Sequence, residues 1–155
     1  MAAITGVIAR PTSYAGIWGW MTTVDHKRIA VLYGVTAMVL MLVAGVEAGV
    51  IRMQLASADN ELISAGRFNQ MFTMHATVMI FFVIIPFLVG AFGNFVIPLH
   101  IGARDMAFPF LNGLSYWIMP LAGIVMFGGI LLEGIDSGLK NGAFASGGWT
   151  SYPPL

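Results

Sequence analysis

Three stretches of this chain, Ile29 to Ile51, Met71 to Ile97 and Ala107 to Leu132, run apolar for more than twenty residues each. Crossing the hydrocarbon core of a bilayer takes about 20 predominantly apolar residues in a helix. With no water at that depth, a spanning segment must satisfy its backbone internally, so helix is the only form open to each run. The first is interrupted by Glu47, the second chiefly by His75 and Asn94, and the third by no charge at all. Arg52, Pro98 and Glu133-Gly134 mark their ends, while Pro86 and Pro120 lie inside, where neighbouring helices can satisfy the freed carbonyls. The chain is 58% hydrophobic and 9% charged, with mean hydropathy +0.85, beyond the usual range of soluble domains. The expected fold is all-α, an integral membrane helical bundle. It divides into an interfacial segment 1–28, transmembrane helices 29–52, 71–97 and 107–133, and a Gly-rich outer segment 134–155.

Net charge is zero, and neither a basic surface, a phosphate-cradling glycine loop nor a nucleic-acid module is visible, so no nucleic-acid partner is expected. Without cysteine there are no disulfides, thiolate metal sites or thiol nucleophiles. Arg10, Pro11 and Gly16 break any apolar core of a cleavable leader, and Trp18, Trp20, Lys27 and Arg28 suit a membrane interface. Arg10, Lys27, Arg28 and Arg104 fall on one side, against Arg52, Arg67 and Lys140 on the other. That bias sets the N-terminus inside, with His75 toward the outer face and Asp105 on the inner one. Glycines at 45, 49, 90, 93, 123, 128 and 129 make these helices better partners for other helices than a self-sufficient bundle.

An imidazole in such a span is costly and marks a buried partner, a proton path or a metal. For His75 the modest reading is a hydrogen bond to a carbonyl of a neighbouring helix; the functional one is an axial ligand to haem iron or a proton relay. His100 lies 25 residues further on, about 37 Å along a helix, and His26 precedes the first span, so neither completes a metal site with His75. Arg52, on the outer side with His75, is either a snorkelling cation or a fixed positive charge beside a cofactor. Glu47 stands about 140° around the helix from Arg52 and does not pair with it. Gly45 and Gly49 permit close helix packing or the approach of a flat cofactor. Asn94 at the inner end of the second run, Asp105 in the inner loop and Asn112 in the third run suit the mouth of a water-filled proton path. Amides hold water by donating and accepting without fixing charge. An exposed loop aspartate is otherwise only a solvated charge.

Val24-Asp-His-Lys27, Gly49-Val-Ile-Arg52, Phe72-Thr-Met-His-Ala-Thr-Val-Met-Ile-Phe-Phe82, Gly93-Asn94 and Ile101-Gly-Ala-Arg-Asp-Met-Ala-Phe-Pro109 occur in that order. Asn112, Ser115-Tyr-Trp117 and Trp149-Thr-Ser-Tyr-Pro-Pro-Leu155 follow. The ordered set, over residues 22–155, closely resembles the N-terminal part of subunit I of the haem–copper oxidases, in the A-type cytochrome c oxidase group. The resemblance implies that His75 is one of two axial ligands of a low-spin haem, and that Arg52 bonds its formyl group where the haem is haem A. It implies Trp149 beside the haem propionates, Asp105 as entry acid of a proton pathway, Asn94 and Asn112 lining it, and His26 near its mouth. Phe68, Gln54 and Arg104 depart from the family, standing where members carry a propionate-side tyrosine, a cation-site glutamate and a proline. No sodium or calcium is therefore assigned, and Glu47 receives no role.

Members of the family have about twelve spans. The three here are thus expected to be part of a larger subunit I, as a fragment or a split subunit. The second axial histidine, the second haem and the copper belong to sequence that is not in this chain, and no catalytic residue of oxygen reduction is expected in it. The implied partners are the remainder of subunit I, subunits II and III, cytochrome c or another electron donor, and the lipid bilayer. The implied setting is a bacterial plasma membrane, or the mitochondrial inner membrane. Two alternatives stay open: a quinol oxidase of the same superfamily, and a non-enzymatic helical module of a larger complex.

Overall fold

The computed structural model describes residues 16–135 and 147–150, with side chains at 16–129 and 147–150. Residues 1–15 of the expected interfacial segment, and most of the Gly-rich segment 134–155, lie outside the described residues. The described chain is helical throughout: a short α1 (Ile17–Met21), then α2 (His26–Gln54), α3 (Ala65–His100) and α4 (Pro109–Ile135). Among the described residues three helices, within α2, α3 and α4, are long and apolar enough to cross a membrane.

Local chemistry sets the ends. Asp25, extended at φ −74° and ψ 120°, caps α2 by accepting the Lys27 amide at 3.0 Å. Ser64 plays the same part for α3 through the Arg67 amide. Between them the side chain of Gln54 staples the outer loop, its amide donating to the Asn60 carbonyl and accepting from the Ile63 amide at 2.9 Å. Gln54 therefore spends both ends of its amide on loop backbone. At its inner end α3 closes with paired reverse bonds, Gly102 N to Leu99 O at 3.2 Å and Ala103 N to Pro98 O at 2.9 Å. That motif needs a left-handed residue just past the helix, and Gly102 supplies it at φ 69°. The sharp reversal delivers Asp105 back toward the start of α2.

α3 is not uniformly α-helical. Val78–Ile84 and Pro86–Gly93 wind with the wider π hydrogen-bond spacing. In α geometry the Pro86 ring would crowd the carbonyl one turn back and offer it no N–H, and wider turns on both sides relieve that conflict. These turns separate His75 from Asn94 and set the angle between the faces they occupy.

Two small cores hold the spans together. Ala44 of α2 packs with Met74, Val78, Phe82 and Val83 of α3, and Met119 and Met126 of α4 lie against this group. Toward the inner end Ile29, Tyr33 and Tyr116 cluster, the two tyrosine rings meeting edge to face at 5.2 Å. Outside these seams the surfaces stay apolar: Leu42, Val46, Val89, Ile124 and Val125 are all exposed. Only 11% of the apolar window of α4 is buried, so its remaining faces need lipid or further helices.

Gly90 is the tightest point. A Cβ there would lie 2.5 Å from Cδ1 and 2.6 Å from Cγ of Tyr33. The ring cannot swing aside freely, because its hydroxyl is bonded to Ser115 across the bundle at 3.0 Å. Gly90→Ala is expected to cost about 1–3 kcal/mol by overpacking. Gly34→Ala, whose Cβ would meet Ala91 at an ordinary 3.7 Å, serves as the control. Thermal unfolding of the detergent-solubilised assembly checks the pair; equal midpoints would refute the packing role.

Candidate functional site

The described polar side chains gather at two ends of the bundle. At the outer end, His75 stands less than one turn before the π-wound stretch of α3, and its Nδ1 lies 2.8 Å from the carbonyl oxygen of Ala44. A carbonyl can only accept, so Nδ1 carries the proton and Nε2 keeps the lone pair. Ligating histidines are held in this way, one ring nitrogen donating to backbone and the other free to bind. Bonding to a carbonyl and readiness to ligate are thus compatible in one tautomer. Ala44, fully buried in the same seam, fixes the ring's height and direction.

Around Ala44, α2 offers open backbone: a Cβ added at Gly45 or Gly49 would meet nothing within 4 Å. A flat apolar cofactor or another helix can therefore approach closely there. Glu47, one turn beyond Ala44, lies within electrostatic reach of His75, and its Oε2 is enclosed without a hydrogen-bond partner among the described residues. Arg52 is exposed on the last turn of α2, eight residues past Ala44 and so about 12 Å further along the axis. Trp149 comes to α3 from the far end of the chain. Its indole is 6.5 Å from the Phe81 ring, and the preceding Gly148 amide donates to the Thr73 hydroxyl at 2.9 Å.

At the inner end, His26 and Asp105 meet. His26 Nδ1 and Asp105 Oδ1 are 3.0 Å apart, with the side chains only 3% and 14% exposed. Asp105 Oδ1 also accepts the Met106 amide at 2.9 Å. Asp105 is therefore no freely solvated loop charge. His26, the first residue of α2, is placed by the Asp25 cap, and Asp105 by the Gly102 reversal. Neither constraint involves the other, so the pairing of residues 79 apart is a tertiary event. His26 Nε2 is enclosed and has no hydrogen-bond partner among the described residues, and the same holds for Asn112 Nδ2.

Above this pair a polar thread crosses all three spans. Asn94, 6% exposed, donates through Nδ2 to the Gly90 carbonyl at 2.8 Å. Tyr33 packs its ring over Gly90 and reaches Ser115 Oγ at 3.0 Å. Ser115 donates to the Asn112 carbonyl at 2.7 Å, which leaves Tyr33 as the donor in the bond between the two hydroxyls. One turn deeper Thr36 and Tyr116 are joined at 3.1 Å. Tyr33 and Ser115 were not among the residues expected from sequence. The signal was nonetheless present, since each is a hydroxyl set inside an apolar run. No sequence signal marks Ala44, whose contribution is a backbone carbonyl.

Residues 28–155 match the family described as Cytochrome C and Quinol oxidase polypeptide I. The chain is 48% identical over 139 residues, 90% of its length, to the cytochrome c oxidase subunit 1 of Bacillus subtilis (strain 168). It is 42% identical over 142 residues, 89% of its length, to the cytochrome c oxidase subunit 1 of Thermostichus vulcanus. With the quinol oxidase subunit 1 of Bacillus subtilis (strain 168) it shares 40% identity over 154 residues, 99% of its length. These alignments take in 21%, 24% and 22% of the three relatives, so the chain spans less than a quarter of each. The chain belongs to the cytochrome c and quinol oxidase polypeptide I family, subunit I of the haem–copper oxidases, and corresponds to its N-terminal segment.

Proposed function

We propose that this chain forms the part of a terminal respiratory oxidase that binds the electron-entry haem on one side and admits protons from the other. The observation that carries the reading is the 2.8 Å bond from His75 Nδ1 to the Ala44 carbonyl, which orients Nε2 as a ligand inside a membrane span. His75 would be the residue of this chain that holds a low-spin haem, assigned as haem A; the other imidazole, a second haem and copper would come from further segments of subunit I. When bound, the haem supplies reversible one-electron chemistry, while the protein sets ligation, dielectric and charge. Ala44 holds the imidazole against rotation. Gly45 and Gly49 would leave room for the macrocycle, Arg52 would supply a positive charge beside it, and Trp149 would lie on its propionate side.

Asp105 is the proton acceptor at the inner mouth. The His26 ring and the Met106 amide hold its carboxyl at the entrance, and the enclosed His26 Nε2 and Asn112 Nδ2 provide hydrogen-bonding capacity for water there. Asn94 and Asn112 line the way inward without fixing charge, and the Tyr33–Ser115 hydroxyl pair continues it toward the centre of the bundle. The reaction served is reduction of oxygen to water coupled to proton translocation, in complex with subunits II and III. The setting is the bacterial plasma membrane, in keeping with the bacterial relatives. Cytochrome c is the donor we assign, since identity reaches 48% and 42% with the cytochrome c oxidases against 40% with the quinol oxidase. Quinol is the second reading, favoured by the 99% coverage of the chain in that alignment. Turnover of the assembled oxidase with each donor decides between them.

His75→Ala in the assembled oxidase is expected to abolish the low-spin haem band in the reduced-minus-oxidised spectrum. An unchanged band would reduce His75 to a tie between two spans and would favour a non-enzymatic helical module.

Asp105→Asn keeps the shape and removes the acid. Positioned proton-transfer groups contribute about a hundredfold or more to rate, so turnover and proton uptake from the inner side should fall on that order. Full turnover with intact uptake by Asp105→Asn would remove Asp105 from the pathway.

A further inference from the structure

Thr73 lies two residues before His75 on α3, and its side chain is 7% exposed. Its hydroxyl has both roles filled. The proton is donated to the Asn69 carbonyl at 2.8 Å, and the oxygen accepts the Gly148 amide at 2.9 Å. The second bond joins positions 75 residues apart. Gly148 is suited to it for a conformational reason: its φ is 74°, a region that L side chains rarely adopt, although a Cβ there would meet nothing within 4 Å. The next residue, Trp149, sets its indole 6.5 Å from Phe81 at a tilt of 52° and remains 49% exposed. Thr73 and Phe81 bracket His75 along α3. Burial does not hold the half-exposed indole, so its place depends on the backbone that carries it, and that backbone is tied at Gly148.

We propose that Thr73 is a positioning residue: its hydroxyl latches the Gly148 amide and thereby seats the Trp149 indole beside the helical turns that carry His75. The proposal rests on the reading that His75 and Trp149 flank the low-spin haem. Thr73 acts on that site through Trp149 and touches no reacting atom. A shift of the indole alters packing and polarity at one edge of the site, and these are terms that set a haem's reduction potential. Valine at position 73 has the shape of threonine without the acceptor. Serine restores the acceptor without the methyl group.

The test uses the complete assembled oxidase in three forms: wild type, Thr73→Val and Thr73→Ser. Hydrogen exchange by mass spectrometry reads the 147–150 segment, and a spectroelectrochemical titration reads the low-spin haem. Loss of one hydrogen bond predicts exchange in that segment faster by about fivefold in Thr73→Val. The low-spin band and midpoint should shift in the same variant, and Thr73→Ser should return both readouts to wild type. Unchanged exchange in Thr73→Val overturns the latch. Faster exchange with an unmoved band and midpoint overturns the positioning role and leaves only a structural tie. His75→Ala keeps the two failures apart, since a band that survives it defeats the ligand reading, while exchange still decides the latch. Should Thr73→Val not assemble, Gly148→Ala opposes the same φ from the other side of the bond and is judged by the same outcomes.

Discussion

A polar group inside a hydrocarbon layer must find its partner within the protein, and His75 on α3 meets this constraint through a carbonyl of α2. Unpaired, a ring nitrogen at that depth costs several kcal/mol. The bond to the Ala44 carbonyl resolves the problem for one nitrogen and, through the tautomer it selects, defines what the other can do. The bond also joins α2 to α3 at the point where Ala44, Met74 and Val78 form their tightest seam. The orientation of the imidazole and the packing of the two helices are therefore one structural fact. A change that loosens the seam would turn the ring, and a change that removes the ring would leave a carbonyl of α2 without its second donor.

The inner end answers the same constraint differently. There the polar groups form separate partnerships: His26 with Asp105, Asn94 with the Gly90 carbonyl, and Tyr33 with Ser115, which donates to the Asn112 carbonyl. Asn94, Tyr33, Ser115 and Asn112 exchange hydrogen bonds without creating a fixed charge, and His26 and Asp105 are the ionisable pair. The Gly90 contact explains how this thread is held without filling space. The missing Cβ lets Tyr33 lie flat on α3, so its hydroxyl reaches α4. Were Gly90 larger, the hydroxyl pair would separate even if every polar residue were kept.

Much of this was legible in the sequence because it rests on composition and spacing. The three apolar runs are readable from length alone, and His75 is conspicuous by the absence of other charge near it in sequence. The resemblance implied His26 near the entry acid, but the direct pairing of His26 with Asp105 was not readable from the residues themselves. It depends on the Asp25 cap and the Gly102 reversal acting at separate places, and neither has a register with the other. Ala44 was invisible because its contribution is a carbonyl that every residue possesses. The π-wound turns around Pro86 were hidden for a related reason: proline signals conflict with an α-helix, but not which relief the surrounding helices allow. Asp105 shows the opposite failure. Loop position suggested a solvated charge, whereas 14% exposure and two donors describe a held one.

The exposed faces bear on how such a segment works. Buried side chains line two narrow seams, while Leu42, Val46, Val89, Ile124 and Val125 point outward along all three spans. In lipid these faces carry no hydrophobic penalty, so they cannot by themselves drive docking of further helices; close packing at small residues must do so. Gly45 and Gly49 provide such a surface on α2, beside the carbonyl that orients His75. A place open to close approach thus lies beside the carbonyl that orients the imidazole. On the proposed ligand role, a site completed by other segments would use this arrangement, because the half in this chain already holds its geometry. The Ala44 bond supplies that geometry from within this chain.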